Sequence, residues 1–137
     1  MNKRIYFGRI IYFILALLFA LCIIIQFYFA GLATFIDGSA WMKHMMFVHL
    51  FGFNLPIIML IFAIIGRFPR IVYWQLFGVF ISIFLMYFTV NFNSIIRWVG
   101  PLHVIVAILL FILSWFIVIK AWEFTFNNKQ MERKENV

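Results

Sequence analysis

The sequence predicts an all-α integral membrane protein, an up-down-up-down four-helix bundle. Three observations lead there. Of 137 residues, 67% are hydrophobic and only 11% charged, an apolar load that a water-soluble fold of this size could not cover. Four apolar stretches of about 18 residues or more recur, each long enough at ~1.5 Å per residue to cross a hydrocarbon core of about 30 Å. Lastly, Ile10 to Phe29 lacks the alternation of apolar and polar residues that a barrel strand needs, so backbone groups in lipid must be satisfied within helices.

Taken in order, the basic head Asn2-Lys3-Arg4 with Arg9 leads into span one, about residues 10–33. This run is too long for a cleaved signal segment and is read as a retained span. Asp37-Gly38-Ser39 makes a polar turn into span two, about 44–65, in which Pro56 is expected to introduce a kink. Gly66-Arg67-Phe68-Pro69-Arg70 stops that helix, since Gly and Pro both oppose its continuation. Span three covers about 72–91 and is broken by Asn91-Phe92-Asn93-Ser94. Gly100-Pro101 opens span four, about 101–122, because Pro is tolerated in a first helical turn. The four-span domain therefore occupies 1–126, and 127–137 is a polar tail. Few small residues lie within the spans, so close small-residue contacts between helices are expected to be limited. Connections this short make successive spans neighbours and place spans two and four on a diagonal.

The net charge of +7 is topological in origin. Its basic residues cluster at the ends of the apolar runs and give no sign of a nucleic-acid surface. Nine of them (Lys3, Arg4, Arg9, Arg67, Arg70, Lys120, Lys129, Arg133, Lys134) flank one face, against Lys43 and Arg97 on the other. That asymmetry predicts a multi-pass protein of the cell membrane with both termini cytoplasmic. Trp41 and Trp98 fall at the outer boundary and Trp74 and Trp122 at the inner one, where indoles are favoured. The single cysteine, Cys22, lies mid-span, excludes an intramolecular disulfide and carries no assigned role.

No acidic residue lies deep in a span, which argues against a proton-coupled exporter built on a buried carboxylate. No triad, phosphate loop or dinucleotide fingerprint is present, and no catalytic residue is assigned. The remaining polar features are His44, His49 and His103, all in the outer half. His44 and His49 are five residues apart, about 500° of helical rotation, and so point some 140° apart. His44, beside Lys43, is placed at the headgroups. His49 and His103 stand on diagonal spans, and two imidazoles across a bundle are one way to hold a b-type haem. Gly52, one turn below His49, would leave room for the macrocycle. Gln26 and Asn54 are the polar side chains expected to border the same pocket, whereas Gln75, Ser82 and Ser114 read as interhelical hydrogen-bonding groups. The plainer alternative is that each histidine simply donates to a carbonyl or to water.

Gln26 with Ala30-Gly31, His49-Leu50-Phe51-Gly52, and Leu102-His103 resemble the marks of a family of small bacterial four-helix membrane proteins catalogued as a domain of unknown function. The resemblance covers roughly 8–122 and implies the four-span topology and the prominence of His49 and His103. It implies no activity. Val104 stands where such relatives often have Pro.

Two functional expectations follow besides haem-based electron transfer. One is a non-enzymatic subunit packed beside a membrane-protein partner or a second copy of itself. The other is a small transporter or channel for a neutral molecule that uses Gln26 and Asn54.

Overall fold

The computed structural model describes residues 2–127, and among these it is helical throughout, with no strand. Helix α1 runs Lys3–Phe35, α2 Ala40–Phe51, α3 Asn54–Ile65, α4 Arg70–Phe92 and α5 Leu102–Trp122. A 3-10 turn, Arg97–Val99, precedes α5, and a π-helical turn, Glu123–Asn127, follows it. These make four helical runs long and apolar enough to cross a membrane: Lys3–Phe35, Ala40–Ile65, Arg70–Phe92 and Arg97–Asn127. The chain is thus a four-span membrane protein. The expected tail beyond Asn127 lies outside the described residues.

The helices extend past the apolar runs that predict them. Asn2 caps α1 by accepting the Arg4 backbone N–H at 3.0 Å, so the helix starts within the basic head. Around the bundle, span one packs on spans two and four, and span three on spans two and four. Spans two and four do not meet at backbone level, nor do spans one and three. This is the diagonal arrangement that the short connections require.

Span two departs from a continuous helix. Its two halves, α2 and α3, are separated at Gly52 and Phe53, one turn before Pro56. Proline lacks the N–H that would bond the Gly52 carbonyl and its ring presses on that carbonyl, so the disruption falls four residues upstream of the proline. The consequence is spatial as well: the backbone of α2 approaches α1 and α3 but not α4 or α5.

The two ends of the bundle are built differently. At the end that gathers the basic residues, Arg9 threads between spans. Its Nε donates to the Gly66 carbonyl at 3.0 Å and an Nη donates to the Phe124 carbonyl at 2.9 Å, with the guanidinium 5.6 Å from the Phe68 ring centre. The Gly66 carbonyl closes α3, and a cation there satisfies an acceptor at a helix end. Gly8 lets the helices close up. A Cβ at Gly8 would come within 2.8 Å of the Gly66 nitrogen and of an Ile65 methyl. Tight small-residue packing is therefore present at this end, contrary to the expectation from composition, and Ala16, Ala20 and Ala63 continue it as buried positions.

Candidate functional site

The opposite end carries all three histidines, and each is engaged with a different neighbour. Gln26 on α1 and His44 on α2 form a reciprocal pair. The Gln26 side-chain amide donates to the His44 carbonyl at 3.0 Å, and the His44 Nδ1 lies 3.2 Å from the Gln26 carbonyl. Gln26 is only 8% exposed, and its side-chain oxygen is buried with no hydrogen-bond partner. His44 is half-buried beside the Trp41 ring, 5.6 Å between centres.

His49 faces the other way, as the rotation between the two residues requires. Its Nδ1 is 2.9 Å from the Tyr87 hydroxyl on α4, and the two rings stack at 5.4 Å. Phe53 stacks on Tyr87 at 5.8 Å and on Phe80 at 6.4 Å, so a short aromatic ladder bridges span two to span three where their backbones stand apart. His103, half-buried at the start of α5, also leans on α4: its Nδ1 is 3.2 Å from the Met86 carbonyl and 3.4 Å from the Thr89 hydroxyl. His49 and His103 therefore meet span three at one level, residues 86–89, from its two flanks.

These contacts set the imidazole tautomers. A carbonyl can only accept, so Nδ1 of His44 and of His103 carries the proton and Nε2 of each presents a lone pair. Tyr87 can donate or accept, and His49 can take either tautomer. Among the described residues no Nε2 has a hydrogen-bond partner, and no group of three or more His, Cys, Asp or Glu side chains is poised to hold a metal ion.

The remaining candidates turn toward their own helices. Asn54 turns back on its own helix, donating to the Leu50 carbonyl at 2.7 Å across the break in span two, and it faces outward. A Cβ at Gly52 would meet Val48 of its own helix. Ser82 and Ser114 likewise bond carbonyls of their own helices, at Gly78 and Phe111, in place of joining helices.

A four-span helical membrane protein whose three histidines collect at one end is what the fold defines. Residues 26–92, just under half of the chain, match a family of unknown function (DUF6220), in agreement with the resemblance read from the sequence. The matched stretch takes in Gln26, His44, His49 and Asn54 and stops short of His103. No curated protein and no solved structure matches the chain.

Proposed function

We propose that this protein is a small b-type haem protein of the cell membrane, with His49 and His103 as the axial pair. The observation that carries it is the anchoring of both imidazoles through Nδ1 to one level of α4, from spans two and four. A histidine held at Nδ1 by a protein oxygen has its ring fixed and its Nε2 basic, which is the second-shell arrangement that ligating histidines use. The donor set therefore fits such a group, which would supply one-electron chemistry. Tyr87, as the acceptor for His49, would select the tautomer that ligation needs.

The charge asymmetry supports cytoplasmic termini. Arg9 and Gly66 are joined at the basic end, with Arg67 next along the chain, while Lys43 and Arg97 lie in the segments of the histidine end. Oxidised and dithionite-reduced absorption spectra of the detergent-purified protein, expressed with added haem, test the site. The expected result is a low-spin b-type spectrum that disappears in His49→Ala and in His103→Ala. A wild-type protein without a Soret band sinks the proposal.

A further inference from the structure

Gln26 presents a problem that its neighbours do not solve. Its side-chain oxygen is buried among apolar groups with no donor, although the amide nitrogen beside it is satisfied by His44. A buried acceptor without a partner is costly; Gln26 shares that condition with the Tyr12 hydroxyl and the Gln75 side-chain oxygen, and differs from them in being paired with a histidine. His44, across the same contact, presents a second acceptor, because its Nδ1–H is committed to the Gln26 carbonyl and leaves Nε2 bare.

We propose that Gln26 and His44 bind the hydroxyl groups of a lipid-soluble hydroquinone, the Gln26 side-chain oxygen accepting from one and the His44 Nε2 from the other. A cluster of acceptors selects a donor. The exposed Lys43 lies one residue before His44, and Arg97 sits in the turn that precedes α5, so the local charge disfavours a cation and favours a neutral donor. The outward-facing indole of Trp41 beside His44 and the half-buried Phe29 and Phe47 rings, 5.7 Å apart on α1 and α2, make an apolar flank for an aromatic head. The ligand reaches the pair beside α2, whose backbone touches neither α4 nor α5.

The site stands apart from haem ligation and can be tested on protein prepared without haem, so the two proposals fail separately. Full-length protein in detergent micelles is titrated calorimetrically with a decyl-substituted benzohydroquinone and with its dimethyl ether, which has the same ring and tail but no donor. The expected result is binding of the hydroquinone about tenfold tighter than the ether, with the ratio falling to near one in Gln26→Leu and in His44→Phe and retained in Ser82→Ala. Circular dichroism establishes that each variant is folded. Equal binding of hydroquinone and ether by the wild type overturns the proposal without recourse to any variant. So does an unchanged ratio in folded Gln26→Leu. Binding of Zn2+ by a protein that fails to discriminate the two organic probes would replace the proposal with a metal site.

Discussion

The half of the bundle toward the basic end and the half toward the histidines share the same four spans but are held together by different physics. In the first, Tyr12, Met59, Ala63, Val72, Leu76, Val79, Ile117 and Ala121 are almost wholly buried. In the second, beside Ile23, Phe51, Ile83, Val99 and Leu110, the buried positions are small or polar: Gln26, Ala33, Ala40, Thr89 and Ala107. Lipid is as apolar as a leucine side chain, so burial from water does not hold membrane helices together; close packing and hydrogen bonds do. One half uses packing. The first adds interspan bonds from Arg9 and Tyr73 to that packing, while the second, with less packing, relies on those of Gln26, His44, His49 and His103.

The largest effect should come from Gly8→Val, which must push α1 away from the Gly66 backbone. We expect a loss of about 3 kcal/mol, measured by thermal or denaturant unfolding in detergent. A stable variant would mean that the close approach of spans one and two is not what secures the basic end. Met59→Ala should cost about 2 kcal/mol, from lost contacts and an unfilled cavity, while Met46→Ala, outward-facing on α2, should change stability by less than about 0.5 kcal/mol. Similar losses at both positions would erase the contrast between the halves. In hydrogen exchange, amides of α2 should exchange about tenfold faster than those of α3, and Tyr87→Phe should widen the gap by removing the bond to His49. Equal protection would show that the break at Gly52 leaves span two acting as one unit.

The smallest effect concerns Asp37 in the turn between α1 and α2. Hydrogen bonds from the Ser39 hydroxyl and backbone N–H hold its carboxyl below the ordinary aspartate range. A lowered folded value contributes stability that is present above the unfolded value and lost as pH falls through the folded one. Asp37→Asn should therefore loosen the turn at neutral pH and make no difference in strong acid, as followed by NMR of the Ser39 amide.

Much of the fold was legible in the sequence because lipid restricts the choices. Four apolar runs can only be four helices, and short connections leave only neighbours and diagonals. The 140° rotation between His44 and His49 also carried over, since the two turn to different spans. What sequence did not reveal was pairing across long separations. Gln26 and His44 meet because a tight turn folds α2 back on α1, and nothing in either segment states that the amide of one will meet the carbonyl of the other. Asn54 misled for a related reason. A polar residue in the first turn after a helix break has a carbonyl of the preceding turn within reach, and Asn54 takes that of Leu50 in preference to a pocket.

Arg67 is the one non-glycine residue with positive φ among those described, at 48°. It occupies the left-handed position that closes α3, with the Phe68 N–H reaching back to the Ala63 carbonyl at 3.2 Å. Glycine usually holds that position, and here it stands one residue earlier, where a Cβ would crowd Phe68, Arg9 and the Phe62 carbonyl. An arginine in this conformation costs about 1 kcal/mol relative to glycine. The stop of α3 thus carries a cation at the one backbone position where glycine would be under less strain.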